Sequence, residues 1–197
     1  MNVCVYGAAN DTIDARYLAE GEQLGRLLAA QGHGLVFGAG ATGMMGAVAS
    51  GVRQGGGSML GIAPKFFDRP GVLYEQCNEL IYTDTMRERK QLMEDKSDAF
   101  VMTPGGIGTF EEFFEILTLR QLGRHEKGIA VLNTKGYYEP LRQMLEQAIE
   151  QGFLRPECRE LCAFFDDPGQ LLDYLEKGPV KVADPTKLRD VVPVDVK

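Results

Sequence analysis

Residues 34–48 read GLVFGAGATGMMGAV: an apolar run of strand length, a glycine-rich turn, then apolar residues at helical spacing. The helical pattern continues through Met44, Met45, Val48 and Val52 and stops at the glycines 55–57. A strand feeding a helix in this way is the unit of a parallel sheet, whose neighbouring strands can be joined only by a crossover. The unit recurs along the chain. NVCVY (2–6) is followed by GAAND and a helix from about 14 to 31, with Leu18, Leu24, Leu27 and Leu28 on one stripe. SMLGIA (58–63), ELIYT (79–83), DAFVMT (98–103), GIAVLN (128–133) and AFF (163–165) are the remaining strand candidates. Helical stretches are expected near 85–96, 109–123, 137–151 and 168–177. The pattern predicts an α/β fold, a doubly wound and mostly parallel sheet with helices on both faces. Ligands of such sheets bind at the carboxyl ends of the strands, where strand order reverses. The glycines collect there, at Gly7, at Gly38 to Gly43 and at Pro104 to Thr109.

The chain has 197 residues, 44% apolar and 25% charged, enough for one substantial core. Residues 1–177 are read as one domain. From 178 to 197 the helical period ends and Pro179, Pro185 and Pro193 appear, which predicts an extended or disordered extension. A net charge of −7 argues against a surface for DNA or RNA, so any phosphate must be held by a local site. The opening MNVCVYG has no basic leader, and no segment reaches the roughly 18 apolar residues of a membrane span, so a cytoplasmic protein without a membrane partner is expected. Cysteines at 4, 77, 158 and 162 form no CxxC pair, and both histidines lie far from them in sequence. Reduced, mostly buried thiols and no metal site are expected. His33, after Gly32, reads as part of a helix stop and His125 as a loop residue.

GAGATG matches G-x-G-x-x-G, but it follows the second strand, and the next strand ends in Ile62, Ala63, Pro64 and Lys65, with no acid to hold a ribose. Gly38, Gly40 and Gly43 then either allow close packing of helix on sheet or contribute to a mononucleotide pocket. PGGIGTFEEFFE (104–115) is more specific. Gly105, Gly106 and Gly108 free the backbone to turn successive N–H groups toward one oxyanion, and a helix starting near Thr109 adds its positive end. Thr109 and Glu112 also have capping-box spacing, so the glutamate has a purely structural reading as well. In TMRERKQLM (85–93), with Thr83, Asp84 or Thr85 as cap, Met86, Arg89, Lys90 and Met93 share a face. The methionines should pack inward, with Met86 also counted among the pocket residues. Arg89 can enter the pocket, and Arg87 reads as solvated. A phosphate held at the loop would set Glu112 against the ribose of a nucleoside monophosphate. A fixed carboxylate there can stabilise an oxocarbenium-like transition state and orient water.

MRERK and PGGIGTFEE together resemble the Lonely Guy (LOG) family, whose signature is M-x-E-R-K followed by P-G-G-x-G-T-x-x-E. The likeness runs from about residue 2 to 177 and includes GLVFGAGATGMMGAV, QLGRHEKGIAVLN followed by GYYEPL, and EQGFLRPE. The resemblance implies a Rossmann-like fold without a dinucleotide, and a homodimer with active sites near the interface. It also implies hydrolysis of cytokinin riboside 5′-monophosphates to an N6-modified adenine and ribose 5-phosphate, with AMP as a further substrate and no cofactor. By position, Arg89 and Glu112 match the catalytic pair. Lys90, the run Gly106, Ile107, Gly108, Thr109, Phe110, Glu111 to Glu112, and Thr118 match substrate contacts. Glu115, one turn from Glu112, is the candidate supporting carboxylate. Departures from the family pattern are Ala8 and Ala9 for serines, Ala39 within a GGG turn, Pro70 for a glutamate and Leu119 for a tryptophan.

Two other readings compete. The same family is often labelled lysine decarboxylase, chemistry that needs pyridoxal phosphate and a Schiff-base lysine, and no stretch supplies that constellation. Related Rossmann-like proteins carry a nucleotide-bearing cofactor such as the molybdenum cofactor without turning it over. A carrier needs the phosphate loop but not the pair Arg89 and Glu112.

Overall fold

The computed structural model describes residues 1–178. The tail from 179 onward, expected to be extended or disordered, lies outside the described residues. Seven strands form one sheet: β1 (Asn2–Tyr6), β2 (Gly34–Phe37), β3 (Met59–Pro64), β4 (Glu79–Thr83), β5 (Ala99–Met102), β6 (Gly128–Leu132) and β7 (Ala163–Phe165). Every pairing is parallel, in the order β4-β3-β2-β1-β5-β6-β7. β1, β2, β5 and β6 are almost wholly buried, which is why they read as continuous apolar runs. The chain winds outward from β1 to β4, then returns to place β5 on the other side of β1. The switch in direction therefore lies between β1 and β5, where the turns at Gly7 and Pro104 emerge. The Ala8 N–H donates to the Pro104 carbonyl across that crevice at 3.2 Å.

Among the described residues six helices cover the sheet: α1 (Ala15–Ala30), α2 (Gly43–Gln54), α3 (Met86–Asp95), α4 (Ile107–Gln121), α5 (Glu139–Glu150) and α6 (Pro168–Lys177). Leu24 and Leu28 of α1, Val48 and Val52 of α2, and Leu171 and Leu175 of α6 pack with Val3, Val5 and Phe37 on one face. Met93 of α3, with Phe113, Ile116 and Leu117 of α4, packs with Cys4, Tyr6 and Phe100 on the other. Short 3-10 turns at Lys65–Phe67, Thr134–Gly136 and Pro156–Leu161 were not expected from the sequence. Cys4, Cys158 and Cys162 are buried and Cys77 is half-buried, all four as thiols. His33 follows Gly32, whose φ is +72°, and bonds Glu176 through Nε2 at 2.9 Å. His125 donates Nε2–H to the Ile116 carbonyl at 2.9 Å.

The helix starts correct one expectation. α4 begins at Ile107, with Gly106 as its N-cap residue and no side-chain cap, so Thr109 is already inside the first turn. The capping box is on α3 instead. There the Thr85 hydroxyl accepts from the Glu88 N–H at 3.1 Å, and the Glu88 carboxylate accepts from the Thr85 N–H at 3.2 Å. Glu112 therefore has no capping role.

Candidate active site

The box on α3 fixes the phase of that helix and turns Arg89 under the carboxyl ends of β2 and β3. Arg89 donates from Nε to the Ile62 carbonyl at 3.2 Å and from Nη1 to Glu112 Oε1 at 2.9 Å. Arg89 is 6% exposed and Glu112 8%. A Cβ at Gly38 would overlap Arg89 Nη2, so glycine at this position leaves the space the guanidinium occupies. Burial pushes the Glu112 carboxyl above its ordinary range; the Arg89 charge pulls it down, and the neighbouring Glu111 pushes it up again. A buried ion pair is weak as a source of stability, because desolvation offsets much of the attraction. A raised carboxyl pKa beside a fixed cation is instead the kind of tuning found at reactive sites.

The pair opens onto a cleft of about 570 Å3 at the β1/β5 switch. One end is formed by Gly106, Gly108 and Thr109 with the β1–α1 turn, Gly7 to Asn10. The N–H groups of Ile107, Gly108 and Thr109 lie in the first turn of α4, where a helix offers them no partner. They lie at the positive end of a 15-residue helix, beside the cleft that Gly106, Gly108 and Thr109 line. Met45, Phe67, Val72, Leu73 and Met86 give the wall an apolar part. Phe67, Val72 and Leu73 belong to the β3–β4 connection, which is tied down by an antiparallel bridge between Gly40 and Leu73 and by the Ala41 N–H donating to the Val72 carbonyl at 3.0 Å.

Of the residues singled out in the sequence, Gly7, Gly38, Gly40, Met86, Arg89, Gly106, Gly108, Thr109, Glu111 and Glu112 line this cleft. Met86 does so while 37% exposed, so it does not pack inward as expected; Met93 does, at 0%. Four other residues sit elsewhere. Phe110 turns into the core edge-on to Tyr138, and its N–H is spent on the Gly106 carbonyl at 3.0 Å. Lys90 is one residue past Arg89, about 100° around the helix, and is held by Glu111 and by Glu115, the latter at 2.7 Å. Burial alone would lower its ammonium pKa, but the two carboxylates outweigh that and raise it. Glu115 thus balances Lys90 on the outer side of α4 and does not support Glu112. Thr118 lies on the exposed face of α4, away from the cleft.

Gly105 and Ile107 frame the loop without lining the cleft. Gly105 is buried beneath Thr109, and the Ile107 side chain is 86% exposed. Gly43 has φ +62°, and a Cβ there would lie 2.5 Å from the Ala8 carbonyl oxygen, so it serves packing. Met45, Phe67, Val72 and Leu73 were not identified from the sequence. For Phe67, Val72 and Leu73 the one signal is the presence of apolar pairs within the proline- and glycine-bearing stretch KFFDRPGVL (65–73).

The chain is similar to several known proteins. The family model described as "Possible lysine decarboxylase" matches residues 45–175. A cytokinin riboside 5′-monophosphate phosphoribohydrolase of Mycobacterium tuberculosis is 40% identical over 165 residues, which cover 84% of this chain and 88% of that protein. A probable enzyme of the same name from Oryza sativa subsp. japonica is 36% identical over 175 residues, 89% of this chain and 72% of its own. Among solved structures, the molybdenum cofactor carrier protein of Chlamydomonas reinhardtii shares the fold, with a TM-score of 0.67 and 20% identity over 89% of this chain and 96% of that one. The matching model and the length of these alignments establish that the chain belongs to the LOG family.

Proposed function

We propose that this protein hydrolyses the N-glycosidic bond of purine nucleoside 5′-monophosphates, N6-modified adenine nucleotides and AMP among them, releasing the free base and ribose 5-phosphate. The observation that carries the reading is Glu112: a buried carboxylate with a raised pKa, fixed by Arg89 one helical turn beyond an uncapped helix start. The relatives named as phosphoribohydrolases support it.

In this reading the 5′-phosphate sits against the N–H groups at the start of α4. The base lies among Met45, Phe67, Val72, Leu73 and Met86, and the ribose is brought over Glu112. As the bond from C1′ to the base nitrogen breaks, its electron pair leaves with the base and positive charge develops on the sugar. The Glu112 carboxylate stabilises that charge and orients a water whose oxygen bonds to C1′; the proton released ends on the departing base. Arg89 holds the carboxylate in place and favours its ionised form.

The residues do not fit pyridoxal phosphate. Among the described residues no lysine lines the cleft: Lys90 is held by Glu111 and Glu115, and Lys65 by Asp84 at 2.6 Å. The likeness to the carrier protein is one of fold, and a carrier has no need of the buried pair. The thiols suit a reducing compartment such as the cytosol. Among the described residues no helix is long and apolar enough to cross a membrane. We also propose a homodimer in which a second copy covers the outer side of α4, where Phe114 is 36% and Leu122 40% exposed beside Thr118. Light scattering that gives a monomer mass at micromolar concentration would remove that proposal.

The function is tested by chromatographic assay of free base from AMP, isopentenyladenosine monophosphate and the two dephosphorylated nucleosides. Release from the monophosphates alone is expected. No release from any of the four would transfer the reading to a carrier.

A further inference from the structure

The β6–α5 connection runs into α5 through GYYEPL, whose function the cleft does not explain. It follows two successive residues in the left-handed region, Lys135 at φ +56° and Gly136 at φ +71°. A lysine there carries backbone strain that the surroundings must hold in place. Three ties to α1 and its cap do so. Thr134 Oγ1 donates to Glu20 Oε2 at 2.6 Å, Lys135 Nζ pairs with Asp14 Oδ2 at 2.5 Å, and Tyr17 meets Tyr137 edge-on. The outcome is that two adjacent tyrosines reach back over the β5–α4 loop. Tyr137 Oη donates to the Gly105 carbonyl at 2.7 Å, and Tyr138 Oη donates to the Thr103 carbonyl at 2.8 Å.

The Gly105 carbonyl belongs to the same peptide plane as the Gly106 N–H. The bond is trans, so the two groups point in opposite directions. Anchoring the carbonyl on Tyr137 therefore fixes the opposite orientation of the Gly106 N–H, and Gly106 lines the phosphate end of the cleft. Glycine on both sides of this plane leaves it free to rotate unless something holds it. Tyr138 makes the same kind of bond one plane earlier, where the nitrogen belongs to Pro104 and carries no N–H, and it also meets the backbone of Gly105, which does not line the cleft. We propose that Tyr137 is a positioning residue that presets the Gly106 N–H for a substrate phosphate, whereas Tyr138 contributes only to stability. The proposal rests on the phosphate site of the reading above.

The test compares Tyr137→Phe, Tyr138→Phe and wild type by titration with ribose 5-phosphate and with adenosine, beside steady-state kinetics on AMP. For Tyr137→Phe, ribose 5-phosphate affinity and the KM for AMP should each weaken about tenfold, the scale of one lost hydrogen bond. Adenosine affinity should stay within twofold, and kcat should change much less than KM. Tyr138→Phe should lower the urea midpoint and leave ribose 5-phosphate affinity within twofold. Unchanged ribose 5-phosphate affinity in Tyr137→Phe overturns the proposal, as does an equal loss for adenosine or a wild type that does not bind ribose 5-phosphate. Absence of AMP hydrolysis in wild type would instead remove the proposed function, and the titrations would still decide the role of Tyr137.

Discussion

The turn after β2 and the turn after β5 each carry three glycines, Gly38, Gly40 and Gly43 in one and Gly105, Gly106 and Gly108 in the other, and each runs into a helix. At the first, the space before the helix is filled by the chain itself. The Met45 N–H donates to the Ala8 carbonyl at 3.2 Å, Thr42 Oγ1 donates to the Ala9 carbonyl at 2.5 Å, and a Cβ on Gly43 would meet the carbonyls of Ala8 and Asn10. At the second, α4 starts without a side-chain cap, and a Cβ on Gly106 or Gly108 would meet nothing within 4 Å. A glycine motif permits an anion site, but whether one exists depends on what the neighbouring loop does with the same helix end. The G-x-G-x-x-G match of the first turn therefore carries no dinucleotide reading here.

The largest expected effect lies on the open side of this comparison. Glu112→Gln should reduce base release by about 10³-fold or more, on the scale of losing a preorganised charge at a developing cation. Ribose 5-phosphate binding, measured by titration, should stay within a few-fold. Arg89→Ala should impair both turnover and binding. It also leaves a buried carboxylate unpaired, which costs about 3 to 5 kcal/mol in urea unfolding. Turnover near wild type in Glu112→Gln would return that residue to a structural role.

Gly38→Ala joins the two turns, because it sits in the closed one yet lies against Arg89 of the buried ion pair. The added methyl would displace the Arg89 guanidinium. A shift of about 1 Å in a group that orients a reacting carboxylate can cost about 10²-fold, so kcat should fall on that order. A crystal structure of the variant with Arg89 undisturbed and kcat reduced would separate the loss from this cause.

The comparison sharpens with Gly43→Ala against Gly108→Ala. The first forces an L side chain into a left-handed backbone and against two carbonyls, and should lose about 2 kcal/mol or more of stability. The second sits inside α4 with open space around it and should gain up to about 1 kcal/mol. Its methyl narrows the phosphate end, and KM for AMP should rise about tenfold, near 1.4 kcal/mol. Urea midpoints and kinetics read both. If Gly43→Ala weakened phosphate binding without loss of stability, the closed turn would be a second anion site.

The fold was legible because strands buried on both faces leave continuous apolar runs and the covering helices leave stripes, as β1 and α1 do. The site was legible only in part. The spacing from Thr109 to Glu112 fits a capping box and a catalytic carboxylate equally well; the start of α4 at Ile107 removes the cap, and the partner Glu112 has instead is Arg89, 23 residues away. Lys90 adjoins Arg89 in sequence but faces Glu111 and Glu115, because one step along a helix turns a side chain by about 100°. Phe67, Val72 and Leu73 line the cleft through the bridge from Leu73 to Gly40, a pairing with no local signal. The turn that aims Tyr137 depends on Lys135 in a left-handed conformation, which lysine does not announce.

The smallest effect concerns the charge state of Glu112. Burial raises its pKa above the ordinary 4.5, Arg89 lowers it and Glu111 raises it. The proposed mechanism uses the ionised form, so as pH falls hydrolysis should be lost at a higher pH than an ordinary carboxylate would dictate. Carbon-13 NMR of labelled glutamate follows the ionisation directly and is free of the substrate phosphate's own titration. The Glu112 midpoint should lie above 4.5 in wild type. It should move higher in Arg89→Ala, which removes the opposing positive charge, and lower in Glu111→Gln, which removes a neighbouring negative one. A wild-type midpoint at or below 4.5 would mean that water or Arg89 compensates the burial fully, and the contrast between a buried reactive carboxylate and the exposed helix start beside it would then rest on position alone.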